Sequence, residues 1–349
     1  MSLPQVQKIK EDLSQITTGY GLMSLTWKPQ PVAKEVAFPA MKQAVDFALE
    51  RNTKAFFNVG EFYGPNRLNL TYVKEFFDLY PDLRQNVIIS CKGGLDCQTF
   101  MSKGKYDDVI KSVQNSVEAI GGFIDIFEVA RLDFEIVKSK TDVYPKESFE
   151  ALAKMVDDGV IGSISLSEVD AEQIKAIASD WKPYLSCVEV ELSLFSLHIL
   201  TNGIVDTCND LNIFIICYSP LGRGLLTGQI TSNANIPDGD IRKTMKRFHG
   251  NALEQNLLLV QFLQDEIIDK RPEEEKITLP QLALGWIKHW NNEPKYSGTR
   301  FIPIPSGSDL KKVKENFDES KCKVTDEEFI KIYGFLKEFE TAGDRYEQV

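Results

Sequence analysis

A chain of 349 residues with 43% hydrophobic and 26% charged side chains can bury a sizeable core, which excludes a disulfide-stapled miniprotein and a disordered polymer. Forty basic against fifty-one acidic residues leave a net charge of −11, a field that repels nucleic acid and anionic lipid. From the N-terminus onward, short runs of strand character alternate with longer amphipathic runs. The strands are predicted at 20–23, 55–59, 87–91, 124–130, 162–166, 187–192, 213–218 and 301–304. Between them, apolar positions recurring at three and four predict helices over 40–51, 107–120, 146–157, 170–178, 199–211 and 257–269, with another over 279–289 before the last strand.

Several strands are apolar on both faces, as strands covered by helices are. Eight such units in one unbroken chain predict an α/β fold, a (β/α)8 TIM barrel, as a single domain over residues 1–349. An extended loop at 231–250, after the seventh strand, carries Arg242, Lys243, Lys246 and Arg247 and is the candidate for a mobile flap. The segment beyond Thr341 reads as loosely docked. Six cysteines without CxxC or zinc spacing, a polar start without an apolar leader and no apolar run of about eighteen residues predict a cytoplasmic protein, with nuclear entry left open and no membrane partner.

A barrel places its chemistry at the C-terminal ends of its strands. There the sequence offers Tyr63 after the second strand and Lys92 after the third, a phenol and an ammonium facing one mouth. A positive charge beside a phenol favours phenolate and eases proton donation. The three histidines, His198, His249 and His289, sit at no strand end, which disfavours a Ser-His-Asp triad or a metal site. Gly19-Tyr20-Gly21-Leu22-Met23-Ser24 lacks the third glycine of a dinucleotide fingerprint. The Gly/Ser turn at 304–312, opening a helix after the last strand, is a better phosphate site, although an ordinary helix cap accounts for it equally.

Over nearly its whole length the sequence resembles the aldo-keto reductases. The most specific motif is Tyr218-Ser219-Pro220-Leu221-Gly222-Arg223-Gly224-Leu225-Leu226-Thr227-Gly228. The resemblance implies that Tyr218 stacks on a nicotinamide while Ser219, Leu221 and Arg223 line the pyrophosphate. It places Ser308, Lys312, Glu315 and Asn316 at the adenosine end, favouring NADPH over NADH. Of the family's Asp, Tyr, Lys and His tetrad only Tyr63 and Lys92 are kept; Asn58 stands for the Asp and Ala130 for the His. At the carboxamide-binding positions Ser167 is kept, but Glu168 and Glu189 replace Asn and Gln.

The segments 58–64 (NVGEFYG) and 129–133 (VARLD) look like the fungal pyridoxal reductase branch. The resemblance therefore implies NADPH-dependent reduction of an aldehyde, best of all pyridoxal to pyridoxine, with Tyr63 as proton donor assisted by Lys92 and Asn58. A cofactor-binding regulatory protein with little turnover is the competing reading, and the altered tetrad supports it. Strand alternation adds one expectation: if Ala130 faces the barrel interior, Glu128 does too. There it would pair with Lys92, with Asn58 as a bridge.

Overall fold

The computed structural model describes residues 2–139 and 141–346. Eight parallel strands follow one another in sequence order: β1 (Tyr20–Gly21), β2 (Ala55–Gly60), β3 (Val87–Gly93), β4 (Ile124–Val129), β5 (Ile161–Ser167), β6 (Leu185–Glu191), β7 (Phe214–Tyr218) and β8 (Phe301–Pro303). The ring closes because Gly19 N–H donates to the Pro303 carbonyl at 2.9 Å and Gly21 N–H to that of Pro305 at 3.1 Å. A Cβ on Gly21 would lie 2.8 Å from the Ile304 carbonyl oxygen, so this seam requires the bare backbone of glycine.

Side-chain alternation divides the strand residues into two sets. Phe57, Val59, Ile89, Cys91, Phe127 and Val129 join the large core shared with the surrounding helices. Phe56, Ile88, Ile126, Cys187, Ile216 and Ile302 face inward and form the barrel floor. A helix absent from the sequence expectations, α1 (Pro4–Ser14), lies under that floor: Ile9 and Leu13, with Ile16 just beyond it, pack into the same inner cluster. Its few apolar residues are spaced on one face, and its polar remainder hid it in the sequence.

The outer helices are α2 (Lys34–Glu50), α3 (Leu68–Leu79), α4 (Tyr106–Ile120), α5 (Lys146–Asp157), α6 (Ala171–Trp181), α7 (Ile204–Leu211), α8 (Gly250–Leu263), α9 (Leu279–His289), α10 (Leu310–Asn316) and α11 (Asp326–Glu338). The helix expected at 40–51 begins earlier because Pro39 sits within its first two turns, where it is tolerated better than deeper in a helix. The one expected at 199–211 is α7 preceded by a short 3₁₀ turn, His198–Leu200.

Two segments at the mouth make specific contacts. The 231–250 loop carries short 3₁₀ turns, Arg242 Nη1 donates to the Arg223 carbonyl at 3.0 Å, and Arg247 is buried. The segment 341–346 docks through Ala342 and Asn256, which exchange reciprocal hydrogen bonds of 2.9 Å, and through Thr341 Oγ1, which donates to the Phe195 carbonyl at 3.2 Å; the last residues of the chain, 347–349, lie outside the described residues. Among the described residues no helix is long and apolar enough to cross a membrane.

Candidate active site

Above the apolar floor the inward positions turn polar. Asn58, Ser90, Lys92, Glu128, Ser165, Ser167, Glu189 and Glu191 are all buried at the C-terminal half of the strands. Parallel pairing sets Lys92 opposite Glu128 and Ser167 opposite Glu189. The Lys92 Nζ lies 2.8 Å from Glu128 Oε1 and also contacts Glu189 Oε1. Ser165 Oγ donates to the other Glu128 oxygen at 2.5 Å, and Asn58 Nδ2 donates to Glu189 Oε2 at 2.7 Å. The expected Lys92–Glu128 pair is therefore present, but Asn58 bridges to Glu189 instead of Glu128. Burial alone would discharge Lys92; the two carboxylates hold its ammonium well above its ordinary pKa.

Tyr63 stands over this cluster. Its ring packs on Gly60, where a Cβ would lie 2.8 Å from the ring, and its carbonyl accepts from Thr26 Oγ1 at 2.7 Å. Burial holds the phenol well above its ordinary pKa, Lys92 pulls it down, and Glu189 and Glu128 push it up. At neutral pH Tyr63 thus carries a proton, and Lys92 supplies the charge that favours its release. Glu61, next to this turn, belongs to the scaffold: it pairs with Arg67 at 3.0 Å and accepts from Ser112 Oγ, whose oxygen takes the Gly94 N–H.

Beside Tyr63 lies an aromatic wall that sequence reasoning missed. Trp27 stacks on Tyr63 with centroids 5.5 Å apart and on Phe100 at the same distance, and it meets Phe62 edge-on at 5.7 Å. Trp27 and Phe100 are 42% and 47% exposed, so this wall faces the open mouth. Ala130, small and buried, packs with Phe62 and Tyr63.

Four of the predicted cofactor positions share one groove. Leu221, Lys312, Glu315 and Asn316 line a cavity of about 470 Å³ together with Thr227, Gln229 and Ser306. Ser219, Gly222, Arg223 and Gly224 all take positive φ (48°, 56°, 55° and 103°), a tight turn that brings backbone close to the groove. For Ser219 and Arg223 that conformation costs about 1 kcal/mol each, the kind of strain that accumulates at ligand clamps. Lys312 Nζ donates to Ser308 Oγ at 2.9 Å, while its backbone N–H is capped by Asp309. Asn316 Nδ2 donates to the Ser306 carbonyl at 3.2 Å.

At the end of β5, Ser167 Oγ is buried with no hydrogen-bond partner among the described residues. An orphaned hydroxyl there fits a carboxamide. Glu189, the other carboxamide position implied by resemblance, is engaged by Lys92 and Asn58. Glu168, at φ 52°, pairs with Arg345 at 2.6 Å. Arg345 also reaches Glu191 at 3.0 Å, the Tyr218 hydroxyl at 3.0 Å and His198 Nε2 at 2.9 Å. The Tyr346 hydroxyl meets that of Tyr218 at 2.9 Å, and Arg223 stacks on the Tyr346 ring at 4.7 Å. Burial and Arg345 depress the His198 pKa to about 4, so this imidazole is neutral and takes no part as a cation. No sequence pattern marked Arg345 or Tyr346, because their partners come from β5, β6 and β7. Among the described residues no cluster of His, Cys, Asp or Glu could hold a metal.

Comparison with known proteins agrees with this geometry. The profile described as "Aldo/keto reductase family" matches residues 17–337. A Saccharomyces cerevisiae protein named "Putative pyridoxal reductase" is 61% identical over 342 residues, covering 98% of this chain and 99% of its own. A Schizosaccharomyces pombe protein named "Probable pyridoxal reductase 2" is 31% identical, covering 94% of this chain and 93% of its own. In fold, the chain is similar to the glycerol dehydrogenase of Gluconobacter oxydans, with a TM-score of 0.73, 18% identity and 95% of each chain covered.

Proposed function

The chain belongs to the aldo/keto reductase family, and within it we propose that it reduces an aldehyde to an alcohol with NADPH, pyridoxal to pyridoxine being the best substrate. Two relatives named as pyridoxal reductases support the substrate. The observation that carries the mechanism is a buried phenol, Tyr63, set over an ammonium that two carboxylates keep charged.

The groove residues fit the cofactor. Leu221, Glu315 and Asn316 would line its adenosine side, Lys312 with Ser308 would offer a cation and a hydroxyl to a 2′-phosphate, and Ser167 would offer its unpaired hydroxyl to the carboxamide. The cofactor held by these residues would supply the hydride for the carbonyl carbon. Tyr63 gives its proton to the carbonyl oxygen, and Lys92 stabilises the phenolate that remains. Trp27 and Phe100, both exposed at the mouth, offer aromatic surface to an aromatic aldehyde, and the small Ala130 side chain lies beside Tyr63.

The test is NADPH oxidation by the purified protein with a panel of aldehydes. Pyridoxal should give the highest kcat/KM, and an aliphatic aldehyde of similar size a markedly lower one. NADPH binding without turnover on any member of the panel would favour the regulatory reading instead.

A further inference from the structure

We infer that Glu128 on β4, a positioning residue, and Glu189 on β6 hold one proton between them, so that the pair leaves a single net negative charge as the counter-ion of Lys92. The inference rests on the reductase reading for its kinetic consequence, but its charge argument stands on geometry alone.

Three ionisable groups share one closed space: the side chains of Lys92, Glu128 and Glu189 are 8%, 0% and 2% exposed. Among the described residues, β2 brings Asn58, β3 brings Ser90 and β5 brings Ser165 and Ser167, all neutral. The floor adds apolar groups and the Cys187 thiol, and burial raises the pKa of Cys187 as it does those of Cys91 on β3 and Cys217 on β7, so all three stay protonated and uncharged. Glu191, one layer above Glu189, is engaged by Arg345 at 3.0 Å, with Arg223 and Arg247 each 3.9 Å away. Tyr63 and, beyond it, Tyr346 complete the surroundings, and both are neutral when protonated.

With both carboxylates ionised the cluster would carry one uncompensated negative charge in a space sealed from water, a state that costs several kcal/mol. One proton removes that cost. Either carboxyl can host it, because the two are in contact and each has a partner that serves both protonation states. Glu128 faces the ammonium with one oxygen and the Ser165 hydroxyl with the other, and a hydroxyl donates to a carboxylate or, after rotation, accepts from a carboxylic acid. Glu189 faces the ammonium with one oxygen and an amide with the other. An amide can serve both protonation states: its NH2 donates to a carboxylate, and after a half-turn its oxygen accepts from a carboxylic acid. Burial pushes the Glu189 carboxyl up, Lys92 pulls it back, and the charge of Glu128 adds to the rise.

This assigns a reason to Asn58. An aspartate there would bring a third carboxyl against Glu189; asparagine keeps one ammonium matched to one net carboxylate charge, supplied by the Glu128–Glu189 pair. Once the pair loses its proton, the added negative charge beside Tyr63 makes the phenol a weaker acid, so reduction should slow as pH rises through that ionisation.

The decisive measurement needs neither cofactor nor substrate. Infrared difference spectra between pH 6 and pH 10 on the cofactor-free protein should show the C=O stretch of one protonated carboxyl at the lower pH. That band should vanish in Glu189→Gln, which removes the carboxyl, and also in Glu128→Gln, where the remaining carboxylate pairs one-to-one with Lys92. Its absence from the wild type, or its survival in Glu128→Gln, overturns the inference. Kinetically, Glu128→Gln should lower kcat by about ten- to hundredfold with NADPH affinity, read by fluorescence, within about twofold. Glu128→Asp should recover part of the rate, and Glu189→Gln should shift the alkaline fall of kcat upward. A wild-type kcat and pH profile in Glu128→Gln would refute the positioning role. A wild type that reduces no aldehyde would refute the reductase reading, while the infrared result still decides the cluster.

Discussion

Replacing Lys92 by Met tests the charge balance of the barrel interior through stability. Methionine fills much the same volume but removes the ammonium that, among the described residues, alone contacts Glu128 and Glu189, whose side chains are 0% and 2% exposed. Removing one partner of a buried ion pair destabilises by about 3–5 kcal/mol, a large part of a typical total of about 5–15. With an m-value of about 3 kcal/mol/M in urea, the unfolding midpoint at pH 8 should fall by roughly 1 M or more. The sign of the pH dependence follows from the stranded carboxyls. Without the ammonium, burial favours the protonated carboxyl over the carboxylate, so the penalty is small in acid, where the carboxyls take up protons, and grows as pH rises. The loss relative to wild type should therefore be clearly smaller at pH 5 than at pH 8. Adding Glu128→Gln and Glu189→Gln to Lys92→Met should restore much of it. Equal destabilisation at both pH values, or a triple variant no more stable than the single one, would refute the reasoning.

Tyr63→Phe should abolish reduction, by at least about a hundredfold, with NADPH affinity nearly unchanged, because the phenol acts on the transition state; near-normal turnover would remove it as proton donor. Gly60→Ala places a Cβ 2.8 Å from the Tyr63 ring and should lower kcat far more than it alters NADPH binding, an outcome read by steady-state kinetics beside a fluorescence titration. Lys312→Glu should weaken NADPH much more than NADH, since only the former carries a 2′-phosphate; equal losses in the two titrations would place that phosphate elsewhere. Arg345→Ala breaks the contacts with Glu168, Glu191 and Tyr218 and should cost about 1–3 kcal/mol while exposing the segment 341–346 to limited proteolysis; an unchanged cleavage rate would show that Asn256 and Phe195 suffice to hold it.

Much of this molecule was legible from residues alone. The alternation of short apolar runs with amphipathic ones is local, and it located all eight strands to within a few residues. The parity of a strand is local too, so spacing alone puts Ala130 and Glu128 on one face, and the expected pairing of Glu128 with Lys92 is present. Family motifs carried Leu221, Lys312, Glu315 and Asn316 onto what proved to be a single groove. Closure of the barrel decided the rest. Which carboxylate Asn58 meets depends on the distance across the interior from β2 to β6, and no spacing along the chain encodes it. The same closure brings Arg345 and Tyr346 onto β5, β6 and β7 from more than a hundred residues away, and it sets Trp27 and Phe100 against Tyr63 from separate loops. Hydrophobic periodicity reports which way a residue faces relative to its neighbours in sequence. The partners of a buried charge are chosen across the barrel, where only the folded ring brings them within a few ångströms.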